Sequence, residues 1–176
     1  NYTDLGYGSY ILFMLIGTAL TILIQSSSAT MALTLVMCAN GWIGFDIAAS
    51  MVLGENIGTT ITANLAAMIA NTTAKRAAFA HFLFNVFGVI WVLAIFPFFL
   101  RWVAGLSEHL GIGDPFTNIG SVPIALSLFH TCFNVANVVI LIGFTKVIAR
   151  LVTRIIKSKE TADDAFTLKH IKIGLL

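Results

Sequence analysis

The chain has 176 residues, 58% of them hydrophobic and only 10% charged, with a mean hydropathy of +0.93; a soluble domain carries about 25% charged residues. That balance excludes a soluble globular domain and marks an all-α integral membrane protein. The formal net charge of +2 gives no electrostatic footprint for a nucleic-acid partner.

Charge placement is more informative than its sum. Residues 5–74 hold two charged side chains, Asp46 and Glu55, whereas seven of the ten Lys and Arg follow residue 145. The chain begins on Asn without a basic leader, so no signal peptide is read and a piece of a longer protein is expected.

Residues 10–45 form an uncharged run too long for one crossing of about 30 Å of hydrocarbon. Gln25, Ser26, Ser27, Ser28 and Thr30 interrupt it near the middle. Two half-helices meeting at a polar tip, a re-entrant hairpin, account for this; one long tilted helix with a serine-rich face is the alternative. Irregular backbone at membrane depth is tolerated only beside protein or a water-filled cavity, so a hairpin implies a site at its tip.

Residues 47–70 read as a second, broken helix. Gly54 and Gly58 bracket Asn56, and Thr59, Thr60 and Thr62 follow, which invites unwinding over residues 54–62. Continuous spans are expected at residues 77–100, closed by Pro97, and 119–145. Between them residues 101–118 form a loop of mixed charge on the outer side, and the flanking Lys and Arg place the basic ends in the cytoplasm. Residues 146–159 alternate basic and apolar side chains as an amphipathic helix on the anionic leaflet, and residues 160–164 read as a linker. The resulting parts are 1–74 with the binding motifs, 75–145 with the scaffold spans, and 146–176 at the cytoplasmic surface.

The chemistry follows from these residue types. Serine hydroxyls, the glutamine amide and open N–H groups at a half-helix N-terminus can hold a tetrahedral oxyanion without arginine. The same tip offers hard oxygen ligands suited to sodium, and so do Asn56, Thr59, Thr60 and Thr62. Glu55 reads as a cation ligand, a proton acceptor or a solvated residue at a water-filled mouth. His81 and His130 each precede an Asn by four residues, Asn85 and Asn134, and are expected to make structural hydrogen bonds rather than to hold a metal. Cys38 and Cys132 read as small core residues, and no serine-hydrolase pattern accompanies Ser26 to Ser28.

The run Gln25-Ser26-Ser27-Ser28-Ala29-Thr30, followed by Leu53-Gly54-Glu55-Asn56-Ile57-Gly58-Thr59-Thr60-Ile61-Thr62-Ala63 and His81-Phe82-Leu83-Phe84-Asn85, resembles the repeat unit of the type II sodium-phosphate cotransporter family. The resemblance covers residues 17–150. It implies a transporter and no enzyme: one half of an inverted-repeat fold, with a second QSSS repeat upstream or on another copy, and a PhoU-like cytoplasmic domain beginning at residues 167–176. It implies phosphate on Gln25, Ser26, Ser27, Ser28, Asn56, Thr59 and Thr60. Sodium, the coupling ion and no further cofactor, falls to Gln25, Ser28, Thr30, Asn56 and Thr62, with Glu55 added on the chemistry of its carboxylate. Glu55 departs from the family pattern, where that position is usually small. A passive pore lined by the same residues, or a phosphate-sensing module, are the competing expectations.

Overall fold

A computed structural model describes residues 6–158. The described residues are helical and contain no strand: α1 Tyr7–Ile24, α2 Ser27–Ala39, α3 Phe45–Ala67, α4 Thr72–Ala94, α5 Phe96–His109, α6 Val122–Leu141 and α7 Thr145–Ile155. Short 3-10 turns, Ile119–Ser121 and Ile142–Phe144, lead into and out of α6. The linker at 160–164 and the domain start at 167–176 lie outside the described residues.

Among the described residues three stretches are long and apolar enough to cross a membrane: α1, α4, and Ile119–Ile155 taken through its 3-10 turns. The uncharged run folds as a hairpin, with α1 and α2 joined through Gln25 and Ser26. With 13 residues, α2 is about 20 Å long and falls short of the hydrocarbon thickness.

The third helix runs unbroken where the sequence suggested unwinding. Its glycines serve contact instead. A Cβ on Gly54 would stand 1.9 Å from the Met14 carbonyl oxygen, one on Gly58 2.7 Å from Thr21 Cβ, and one on Gly17 2.3 Å from the Met51 carbonyl oxygen. Bare backbone thus lets α1 and α3 lie against each other, the small-residue device by which helices associate where lipid supplies no hydrophobic driving force. Thr18 Oγ1 reinforces the seam, donating to Gly54 O at 3.0 Å. The hydroxyls of Thr59, Thr60 and Thr62 donate to carbonyls of Glu55, Ile57 and Thr59 in their own helix, which satisfies them without a break.

Pro97 also differs from expectation. It stands in the first turn of α5 and so opens a helix, where its missing N–H costs nothing, while α4 has already ended at Ala94. Because α5 continues to His109, the irregular connection shortens to residues 110–118.

The central helix is α3, on which α1, α2, α4 and α6 all pack. Its residues 47–55 are buried without exception. An aromatic seam from Tyr10 through Phe96 and Phe129 to Phe99 packs edge to face, with centroids 4.9 to 6.1 Å apart. Between α4 and α6, Asn137 donates to Phe84 O at 3.1 Å, accepts from Trp91 Nε1 at 3.2 Å and sits against Gly88.

These contacts define two ends of the bundle. Tyr10 Oη donates to Asp46 Oδ2 at 3.3 Å, and Phe116 packs on Phe45 with centroids 5.3 Å apart, so the starts of α1 and α3 share one end with the 110–118 loop. At the other end Arg76 Nε donates to Ile156 O at 3.0 Å, joining the start of α4 to the end of α7. The hairpin therefore enters from the Asp46 end, and at its tip α2 turns back toward that same end.

Candidate functional site

The hairpin tip is built by two capping events. Gln25 takes the left-handed conformation, φ 57°, and its N–H closes α1 on Thr21 O at 2.8 Å. Ser26 is extended and caps α2, its Oγ accepting from Ala29 N at 3.3 Å, while its carbonyl accepts from both Thr30 N and Thr30 Oγ1. The cap reaches Ala29, so the N–H groups of Ser27 and Ser28 at the positive end of α2 stay open to a ligand. Gln25, Ser26 and Ser28 are exposed and Ser27 is half-buried. Uncharged donors thus converge at a helix N-terminus, the arrangement that favours an anion.

Below the tip lies Glu55, 2% exposed in the middle of α3. Thr34 Oγ1 on α2 reaches it at 2.9 Å. That hydroxyl is neutral, and an ionised carboxylate buried with a neutral partner alone is costly. A small cation coordinated there would offset the cost. Neighbouring oxygens suit one: on α3 the 3.6-residue period sets Thr59 and Thr62 on the same face as Glu55, with Asn56 beside them. Thr59, Thr60 and Thr62 each direct the hydroxyl proton into their own helix, leaving lone pairs for a hard cation. Asn56 commits Nδ2 to Val52 O at 3.1 Å, and its Oδ1 lies 3.4 Å from His130 Nε2 on α6.

The predicted residues thus form two groups on adjoining elements: Gln25, Ser26, Ser27, Ser28 and Thr30 at the hairpin turn, and Glu55, Asn56, Thr59, Thr60 and Thr62 along α3. Between α2 and α3 the side-chain link is Thr34 on Glu55, not a bond from the tip itself.

Thr34 and Thr21 were missed from sequence, and His130, expected there to make structural hydrogen bonds, finds a partner that was not foreseen. Thr34 continues the polar stripe Ser27, Thr30, Thr34, Cys38 along one face of α2, a readable period; Thr30, Thr34 and Cys38 on it are all buried. His130 meets Asn56 across 74 residues, which no local pattern announces. Thr21, 1% exposed and packed against Gly58, has the one buried side-chain oxygen without a hydrogen-bond partner among the described residues. The His-Asn pairs act locally, Asn85 and Asn134 donating to the carbonyls of His81 and His130. Both cysteines are free thiols. No cluster of three or more His, Cys, Asp or Glu suited to a metal occurs among the described residues.

A re-entrant polar tip set against a buried helix, within apolar spans, defines a polytopic α-helical membrane protein of the transporter class. By comparison with known sequences, the chain belongs to the Na+/Pi-cotransporter family, whose model matches residues 8–131.

This is a family of transporters, not of enzymes. The uncharacterized protein YqeW of Bacillus subtilis is 38% identical over 146 residues, 83% of this chain and 44% of that protein. A Salmonella typhimurium protein, YjbB, named for a proposed role in inorganic phosphate export, is 30% identical over 96% of this chain and 29% of its own length. Human sodium-dependent phosphate transport protein 2C is 38% identical over 61% of this chain and 18% of its own length. The chain therefore spans less than half of each of these relatives. No solved structure gives a significant match.

Proposed function

We propose that this chain is about one repeat of a sodium-coupled transporter of inorganic phosphate. The observation that carries the reading is the pairing of an open, uncharged helix N-terminus at Ser27 with the buried Glu55 carboxylate beneath it. Phosphate is held by the Gln25 amide, the hydroxyls of Ser26, Ser27 and Ser28 and the α2 N–H groups, with Asn56, Thr59 and Thr60 facing it from α3. Sodium takes oxygens from Gln25, Ser28, Thr30, Glu55, Asn56 and Thr62. Bringing anion and cation together lowers the net charge that crosses the bilayer, where one unpaired charge costs several kcal/mol. A second QSSS tip, upstream or on another copy, closes the site; a PhoU-like domain follows the chain; and the basic end faces the cytoplasm.

The test uses the full-length protein in proteoliposomes under an imposed sodium gradient. Gln25→Ala and Ser27→Ala are expected to cut radiolabelled phosphate uptake by about tenfold or more each, by loss of charge-assisted hydrogen bonds worth about 1.5–3 kcal/mol. Glu55→Gln preserves an acceptor for Thr34 but removes the charge, so it shifts the sodium activation curve and leaves expression unchanged. Saturable, sodium-stimulated uptake with exchange against preloaded phosphate separates a carrier from a pore. Wild-type sodium-coupled uptake in both tip variants would sink the assignment.

A further inference from the structure

At the basic end a groove of about 520 Å³ opens between the end of α3, the start of α4 and the end of α7. Its walls are apolar, among them Ile61, Leu65, Met68, Phe79 and Phe82, and the one charged side chain in its lining is Lys75. Its volume lies within the range of small-molecule sites, about 300–1,000 Å³. The apolar surface continues past its mouth: Leu65, Met68 and Ile69 are 55%, 67% and 95% exposed.

The charge around the groove is one-sided. Lys75 and Arg76 at the start of α4 and Arg154 and Lys157 at the end of α7 belong to this end, and no carboxylate does among the described residues. Asp46, Glu108 and Asp114 belong with the opposite end, where Tyr10 holds Asp46 and Asp114 folds the 110–118 loop. The groove is held open by polar contacts at its edges: Arg76 Nε on Ile156 O, and Asn64 Nδ2 on Ala78 O at 2.9 Å. Helix α7 turns Val152 into the bundle, descends along α4 toward Arg76, and leaves Val147, Leu151 and Ile155 exposed beside its cations.

We propose that this groove is a binding site for an acidic phospholipid, one acyl chain lying along Leu65, Phe79 and Phe82 and the headgroup phosphate meeting Lys75, with Lys157 and Arg154 nearby. The ligand must join a long apolar tail to a net negative head at the membrane surface. A zwitterionic lipid fills the groove equally well but gains nothing from the cations described at this end. Each cation near a leaflet surface favours an acidic lipid by about fivefold. The inference rests on residence in the membrane and is independent of what the protein carries.

The experiment reconstitutes the full-length protein in phosphatidylcholine vesicles doped with photoreactive phosphatidylglycerol or, separately, photoreactive phosphatidylcholine, and maps adducts by mass spectrometry. The phosphatidylglycerol probe is expected to label residues 61–82 several-fold more than the phosphatidylcholine probe. Lys75→Gln should lower that labelling about fivefold, and Lys75→Arg should keep it. Excess inorganic phosphate should leave it unchanged. Equal labelling by the two probes, indifference to Lys75→Gln, displacement by inorganic phosphate, or cross-links from the groove to another protein segment would each overturn the site.

Discussion

Replacing Gly54 by alanine tests whether the tip owes its position to the α1–α3 seam. The added Cβ would stand 1.9 Å from the Met14 carbonyl oxygen and 2.8 Å from the Thr18 backbone nitrogen. Ordinary contact begins near 3.4 Å, so α1 must retreat by roughly 1.5 Å, the difference of the two. Retreat of that size breaks the Thr18 Oγ1 to Gly54 O bond, 3.0 Å long in the native packing. Overpacking costs about 1–3 kcal/mol and a lost hydrogen bond about 1 kcal/mol, so the variant should be destabilised by about 2–4 kcal/mol. Because α1 carries Gln25, the tip moves with it, and a misplacement on the order of 1 Å can cost about a hundredfold in rate. The assay pairs thermal unfolding of the detergent-purified full-length protein with sodium-driven phosphate uptake. Gly105→Ala is the control, since a Cβ there meets nothing within 4 Å and α5 should gain up to about 1 kcal/mol of helix propensity. Native stability and uptake in Gly54→Ala, or equal damage in Gly105→Ala, would refute the reasoning.

Thr34→Val removes the hydroxyl that meets the Glu55 carboxylate and should destabilise the fold by about 1–3 kcal/mol, with Thr34→Ser restoring it; a Tm unchanged by valine would show that the pair contributes nothing. At Gln25, backbone and side chain can be separated. Glycine tolerates φ 57° where alanine is strained by roughly 1 kcal/mol, so Gln25→Gly should unfold later than Gln25→Ala while transporting no better; uptake recovered in the glycine variant would assign the position to conformation rather than to the amide.

The hairpin was legible because two signals agreed. An uncharged run exceeded one crossing, and its polar interruption carried the residue types that cap helices, so Gln25 and Ser26 fell at the turn. The amphipathic α7 was legible for a similar reason, the alternation of basic and apolar residues being a property of the segment alone. Gly54 and Gly58 were misread as an unwinding signal because glycine has two uses, freedom and closeness, and only the partner helix decides between them. Pro97 was misread in the same way: proline stops one helix and starts another with equal ease, and the neighbouring Ile95, not Pro97, marks the join. The contacts that tie the candidate site together, Thr34 to Glu55 and His130 to Asn56, span 21 and 74 residues. No local pattern encodes such separations.

Asn137 has a mechanical consequence. Its one amide grips α4 twice, at Phe84 O and Trp91 Nε1, in a layer where no water competes for those bonds. Sliding α6 along α4 would break both at once, so the two helices form a stiff frame. The helix α3 meets this frame through the 3.4 Å approach of His130 to Asn56 on the α6 side and Asn64 Nδ2 on Ala78 O on the α4 side. Because α3 packs on both members of that frame, the frame fixes where the buried Glu55 stands relative to α4 and α6. Spin labels across α4 and α6 should therefore report one narrow distance.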